Sequence, residues 1–218
     1  MKFKSLVSTT LVVICFASCS NNSKTVHEET KPDSTTVTTD ETIPDLEETF
    51  PGLYNYLHLQ DSSFSTTGFE GGEIGQKPDS SDRKQDTSGL HLYYPYLLFN
   101  SDSSMALDLV SYNYVAHLKH GKTELEEAGP DYEVALIDFK TGRRKQLLFF
   151  GTTGTVLDAK WQDANTILMA GATQWKGGDS MLPVLWKYEL STRSWFVFQY
   201  ERMISADWSG YKKSFIKD

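Results

Sequence analysis

The chain has 218 residues and a net charge of −8, with 21 basic against 29 acidic side chains. That acidic balance excludes the usual nucleic-acid binder, which needs clustered Lys and Arg for phosphate contacts, and argues against adhesion to anionic lipid by charge alone. Both cysteines, Cys15 and Cys19, fall within the first twenty residues. From Ser20 onward the sequence therefore offers no internal disulfide, no thiolate metal ligand and no thiol nucleophile.

In chain order, the opening MKFKS carries Lys2 and Lys4 and no acid. It runs into an apolar stretch from Leu6 to Ala17, broken only by Ser8, Thr9 and Thr10. A basic start followed by a short apolar run is the pattern of a secretory signal peptide. The run is shorter than the roughly 20 residues a spanning helix needs, and Ser20-Asn21-Asn22 ends it. Within it, Phe16-Ala17-Ser18-Cys19 resembles the lipobox of bacterial lipoproteins, where an apolar residue and two small residues precede the cysteine that is lipidated. Phe16 departs from the family's usual Leu, while Ala17, Ser18 and Cys19 match. Cys15 fits less well because bulky Ile14 precedes it. The resemblance covers the first twenty or so residues. It implies that residues 1–18 are removed and that Cys19 carries the lipid attachment. Each buried methylene contributes about 0.8 kcal/mol, so several chains hold where one would not. The expected address is the cell envelope, lipid-anchored, at the outer membrane facing the periplasm. Ser20 is not the aspartate associated with inner-membrane retention, and no acid precedes Glu28 to form a surface-export signal beside the cysteine.

Residues 19–49 are expected to be the acylated Cys19 and a disordered acidic tether. Ser, Thr, Asn, Asp and Glu dominate, too polar to bury the apolar area that ordering requires. Residues 20–49 hold eight acids against Lys24 and Lys31, or −6. Loss of Lys2 and Lys4 takes the chain from −8 to −10, which leaves about −4 for residues 50–218.

The remaining 169 residues suffice for a single domain with its own core. From Pro44 to about Leu59 the spacing predicts a short helix with Leu53, Tyr56 and Leu57 on one face, and Pro51 suits a first helical position. Residues 62–89, rich in Ser, Gly, Asp and Thr, read as one weak strand and a long loop. Then come apolar runs separated by turn residues: 92–99, 105–115, 132–139, 145–150, 155–161, 166–172, 182–190 and 194–200. Such short runs with Asp-, Asn- and Gly-containing turns are the signature of antiparallel β-structure.

Two stretches repeat one form. VALIDFKTGRRKQLLFF (134–150) and LWKYELSTRSWFVFQY (185–200) each have a strand, an acid, an apolar residue, a Thr-centred turn and a second strand; Asp138 aligns with Glu189 and Thr141 with Thr192. An earlier pair, 96–110 and 158–171, precedes them, with Phe99 and Trp161 each ending a strand. Four strands at a period near 50 residues resemble β-propeller blades of the TolB or WD-repeat kind, over about 93–200. A closed propeller needs at least four blades, and this chain has room for two or three. The expected fold class is mainly β: antiparallel meander units, as two four-stranded blade-like sheets or a sandwich, with a short N-terminal helix.

Candidate sites are few. His117 and His120 lie beside Glu124, Glu126 and Glu127, residue types that bind metal, but in a polar stretch that reads as a solvated hairpin. Asn100-Ser101-Asp102-Ser103-Ser104 places oxygens as calcium loops do, without the glycine and bidentate acid such loops require. Arg143-Arg144-Lys145 follows a Gly turn and reads as a solvated hairpin, with an anionic partner as the alternative. Gly151-Thr152-Thr153-Gly154 is a turn and not a phosphate loop. Trp161, Trp186 and Trp195 read as core. Trp175, in a Gly-rich loop, is the candidate ligand-binding residue, since an exposed indole offers a platform to a sugar ring or a partner. No catalytic, metal or cofactor motif appears. The expected function is a membrane-anchored lipoprotein with a non-catalytic binding or structural β domain. The partners are the lipid bilayer, through acylated Cys19, and an envelope protein or glycan, with no nucleic acid. A glycan-binding accessory protein is the first alternative and a hydrolase with unrecognised carboxylates the second.

Overall fold

The computed structural model describes residues 42–76, 82–84, 86, 88–174 and 180–216. The expected signal peptide, Cys19, residues 20–41 of the expected tether and Trp175 lie outside the described residues. Leu46 is almost fully buried, so the packed domain begins before Phe50, within the segment expected to be tether.

Two short helices open it. In α1 (Leu46–Thr49), the Asp45 carboxylate accepts from the Glu47 amide at 2.8 Å and the Glu48 amide at 3.2 Å, satisfying donors that a helix start leaves open. Pro51 starts α2 (Pro51–Gln60) at the position where its missing N–H costs nothing. Phe50 between them turns its ring inward with Leu46, Leu53 and Leu57.

Thirteen strands follow among the described residues. The first eight are β1 (Phe69–Gln76), β2 (Asp82–Lys84), β3 (Leu98–Phe99), β4 (Met105–Asp108), β5 (Tyr114–Lys119), β6 (Lys122–Glu127), β7 (Tyr132–Asp138) and β8 (Arg143–Phe150). The rest are β9 (Gly154–Trp161), β10 (Thr166–Gln174), β11 (Ser180–Glu189), β12 (Ser194–Tyr200) and β13 (Ile204–Ser205). One sheet runs β2-β8-β7-β4-β3, the other β1-β12-β11-β10-β9 with β13 against the start of β11, and β5-β6 form a separate hairpin. All pairings are antiparallel. Each sheet is thus a four-stranded meander with an added edge strand, β2 in one and β1 in the other, the second also carrying β13, and the meanders are the two repeats visible in the sequence.

The sheets stack face to face. Val134, Leu136 and Leu148 of the first meet Met169, Val184, Trp186, Tyr188 and Trp195 of the second in one apolar cluster. The Phe150 and Trp186 rings lie 5.6 Å apart, and the Tyr132 hydroxyl donates to the Val156 carbonyl at 3.2 Å. Strand alternation sends Phe196, Phe198, Tyr200 and Leu185 to the other face of the second sheet, where α1, α2 and Trp208 cover them. The outer face of the first sheet is covered by residues 90–97 and by the turn after β4. Both sheets therefore bury both faces, as large apolar residues on alternate positions require.

Three expectations need correction. The run 92–99 is not a strand: it forms single 3-10 turns at 90–92 and 94–96, and only Leu98–Phe99 pair. Pro95 lacks the N–H a strand would donate. The run 105–115 breaks after Asp108, whose carboxylate captures the amides of Val110 and Ser111 and folds the chain into a turn. Residues 62–89 hold two sheet edges, β1 and β2, instead of one strand and a long loop. Of the glycines that weaken the strand signal in β1, Gly71 serves close approach. Gly71 has φ 145° and lies where a Cβ would meet the Val197 carbonyl oxygen at 2.1 Å. Replacing Gly71 with Ala should detach β1 from β12 and destabilise the domain by more than about 1 kcal/mol. The urea midpoint is the measurement, and an unchanged midpoint would refute the close-approach reading.

Candidate functional site

The basic run Arg143-Arg144-Lys145 is where the structure departs most from expectation. It lies in β8, so its side chains alternate. Lys145 points to the second sheet and donates to the Tyr188 hydroxyl at 3.1 Å. Arg144 points the opposite way and is 4% exposed, so the run is not a solvated hairpin. A buried guanidinium is tolerated only with its charge and donors satisfied. Arg144 Nη1 donates to Glu133 Oε1, and Nη2 to Asp108 Oδ2 at 3.2 Å. Gln146 Nε2 donates to Glu133 Oε2 at 3.2 Å, and Arg83 Nη2 reaches Glu133 Oε1 from β2 at 3.4 Å. Asp108 also accepts from the Val110 amide at 3.0 Å, the Ser111 amide at 2.8 Å and the Ser111 hydroxyl. Asn113 closes the network: its Nδ2 donates to the carbonyls of Leu109 and Glu133, and its Oδ1 accepts from the Glu133 amide. Burial pushes the Arg144 pKa down, and the nearby Asp108 charge opposes that shift.

Above this network lies a cleft of about 440 Å³ with Arg144 in its floor. Arg83 and Lys84 from β2, Tyr93, Ser111 and Tyr112 contribute to its walls. The charges of its described lining are Arg83, Lys84, Arg144 and Asp86, with Asp108 and Glu133 paired to Arg144 beneath it. The Tyr93 hydroxyl is engaged, donating to the Tyr114 carbonyl at 3.0 Å, so its ring is held rigid. The cleft thus offers charged groups, hydroxyls and aromatic surface, a set that holds a polar ligand by charge-assisted hydrogen bonds and ring contact.

The C-terminal segment packs beside Tyr114 and Tyr132. Phe215 is fully buried there. Lys213 Nζ donates to the Tyr114 hydroxyl at 2.9 Å and lies 5.4 Å and 5.1 Å from the ring centres of Tyr114 and Tyr132. Burial lowers the Lys213 pKa and pushes the Tyr114 hydroxyl up to about 12. Asp158 accepts from the Ser214 hydroxyl, from the Tyr211 hydroxyl at 3.2 Å and from the Ala159 amide at 2.9 Å. Its pKa is raised because burial outweighs those donors.

The other residues singled out in the sequence do not converge. His117 and His120 lie in the solvated β5-β6 hairpin; His117 Nε2 is 3.5 Å from Glu126, and His120 occupies the tight turn with φ 51°. Among the described residues no group of three His, Cys, Asp or Glu side chains is placed to hold a metal. In the 100–104 turn, the Asp102 and Asn100 oxygens are taken by the amides of Ser104 and Met105 at 2.9 Å and 3.0 Å. Residues 151–154 connect β8 to β9 as a turn. Trp186 and Trp195 are core, whereas Trp161 is half-buried and donates to the Leu98 carbonyl at 2.7 Å. The network around Arg144 was missed. Strand alternation was the available signal, since it separates Arg144 from Arg143 and Lys145, but only strand pairing brings it to Asp108 and Glu133.

No protein-family model matches the chain, and no curated protein or solved structure matches it. The fold and its clefts therefore carry the functional reading.

Removing Arg144 would leave two carboxylates buried against each other. Arg144→Ala should cost about 3–5 kcal/mol of stability. Arg83→Ala should cost less than about 1 kcal/mol, because the Arg83 side chain is 60% exposed. Urea denaturation of both variants checks the contrast. Asp158 supplies a pH dependence. Its pKa lies above the ordinary 3.8 in the folded state, so the fold holds the proton more tightly than the unfolded chain. Its stabilising contribution is complete below pH 3.8 and is lost as pH rises through the raised value. The stability of wild type relative to Asp158→Asn should therefore fall as pH rises from the ordinary 3.8 through the raised value. A constant difference across that range would contradict the assignment.

Proposed function

We propose that this protein is a lipid-anchored binding protein of the bacterial cell envelope, which presents its β domain to a ligand or partner through the cleft above Arg144. The observation that carries the binding role is that cleft. It brings Arg83, Lys84 and Arg144 together with Asp86 at one opening and lines them with Tyr93, Tyr112 and Ser111. Its floor is held by a hydrogen-bonded ion network, so its cation is in place before any ligand arrives. The anchoring role rests on Phe16-Ala17-Ser18-Cys19 and on the polar stretch that follows. The membrane contact is then the acyl chains on Cys19, at the outer membrane facing the periplasm. Among the described residues no helix is long and apolar enough to cross a membrane.

A second reading, a glycan-binding accessory protein, is favoured by the tyrosine rings and serine hydroxyls of the same cleft, which suit an acidic sugar. Trp175, the ligand-binding candidate of the sequence, belongs to this reading as well.

Intact mass and membrane fractionation of the native protein beside Cys19→Ala test the address. The native form should carry added lipid mass on Cys19 and sediment with membranes, and the variant should be soluble without that mass. Two soluble forms without lipid would refute the anchor. Titration with acidic oligosaccharides tests the cleft: Lys84→Glu and Tyr112→Ala should each weaken binding at least about tenfold with the fold intact. Equal affinity in both variants would move the glycan site elsewhere.

A further inference from the structure

Large apolar side chains that stand singly on a surface are ordinary, but rings gathered there are not. Tyr94, Phe99 and Phe139 gather beside β3, an edge strand of the first sheet. The Phe99 and Phe139 rings stack 5.6 Å apart, and the Tyr94 ring stands nearly perpendicular to both, at 6.4 Å and 6.1 Å. Tyr94 is 46% exposed and Phe99 38%. Tyr93 and Tyr96, from the same covering segment, pack against the core and anchor their hydroxyls on the carbonyls of Tyr114 and Thr123. Tyr94 turns outward instead. The rings come from the covering segment, from β3 and from the residue after β7, so the tertiary structure assembles the patch.

The internal repeat shows what the same position does when it is covered. Phe99 corresponds to Trp161 and Phe139 to Leu190, and the backbone repeats with them. The Phe139 amide donates to the Ser104 carbonyl at 2.9 Å, just before β4, and the Leu190 amide to the Asn165 carbonyl at 2.8 Å, just before β10. In the second repeat this position joins two sheets: Trp161 packs on the core cluster and donates to the Leu98 carbonyl of the first sheet at 2.7 Å. In the first repeat no further meander stands beside Phe99 among the described residues. An ion pair borders the open rings. Asp102 lies in the turn after Phe99 and Lys140 follows Phe139; their side chains meet at 3.4 Å and both remain mostly exposed.

We propose that this surface docks a second copy of the same chain, as a dimer about a two-fold axis. A two-fold contact sets a patch against itself, so the patch must be self-complementary. Here the rings supply the apolar centre. The carboxylate and the ammonium at the rim allow Asp102 of one copy to face the partner's Lys140, and the reverse. A purely apolar partner would strip water from that ion pair, and a purely ionic one would leave the rings in water. Three rings a side make a small centre, so the contact is weak and depends on concentration.

The experiment is sedimentation of the full chain over a wide range of concentration, in mild detergent that masks the apolar N-terminal run. Wild type is compared with Phe99→Ser, Asp102→Lys and Lys140→Asp. Wild type should pass from monomer to dimer as concentration rises. Phe99→Ser should weaken that association at least about tenfold. Asp102→Lys sets two ammonium groups at the rim and Lys140→Asp two carboxylates, so each alone should also weaken it about tenfold or more. An equal mixture of the two reversals should recover the dimer, because opposite charges then meet. Both reversals alter exposed side chains, so the test stands even where Phe99→Ser does not fold. A wild type that stays monomeric at every concentration would overturn the proposal. So would a dimer that both reversals keep in full, or a loss that their mixture does not recover.

Discussion

The structure depends on one buried cation and the two carboxylates that hold it. Arg144 ties β8 to β7 through Glu133 and to β4 through Asp108, and Asp108 also folds the turn that covers the outer face of the first sheet. A guanidinium in that position would be ruinous alone, because removing a charge from water costs several kcal/mol after relaxation. It is tolerable because the acids and amides around it are in register before the side chains meet. Asp108 lies opposite Ala135, and Ile137 opposite Arg144. The network thus makes the register of the first sheet a matter of charge as well as of apolar pattern. A one-residue slip would send Arg144 among the aliphatic side chains between the sheets.

The second constraint is that neither sheet can leave a face in water. The second meander carries large apolar residues on its outer face as well as its inner one, and the first carries the Arg144 ion network there, so stacking alone satisfies only the two inner faces. The helical segment with Trp208 covers one outer face, and residues 90–97 cover the other. Blade-like sheets usually find their neighbours in further blades. Here the flanking segments take that place, and so two meanders form a closed unit. The cleft above Arg144 follows from this construction: it lies where the covering segment meets the buried ion network.

The chain itself announced much of this. Seven of the strands, β4 and β7 to β12, could be placed from alternation and turn chemistry, as could Pro51 at the start of α2 and the correspondence of Thr141 with Thr192. The misreadings have physical causes. Pro95 turns an aromatic run into 3-10 turns, though its ring is compatible with extended backbone too. Glycine in β1 looks like a loop because the reason for it, the Val197 carbonyl on a strand over a hundred residues away, is not local. The Arg143-Arg144-Lys145 run looked solvated because charge is read along the chain, whereas a strand divides consecutive residues between two environments.

Sequence alone determined the antiparallel class, the internal repeat, the acidic balance and the lipobox resemblance, because each rests on neighbours or near neighbours in the chain. Tertiary structure alone decided which residues share a site. Asp108, Glu133 and Arg144 lie far apart in sequence and meet through strand pairing. Tyr94, Phe99 and Phe139 reach one surface through the pairing of β3, β4 and β7 and the packing of residues 90–97. Hydrogen-bond register and face-to-face packing are long-range conditions, and no local pattern of residues encodes them.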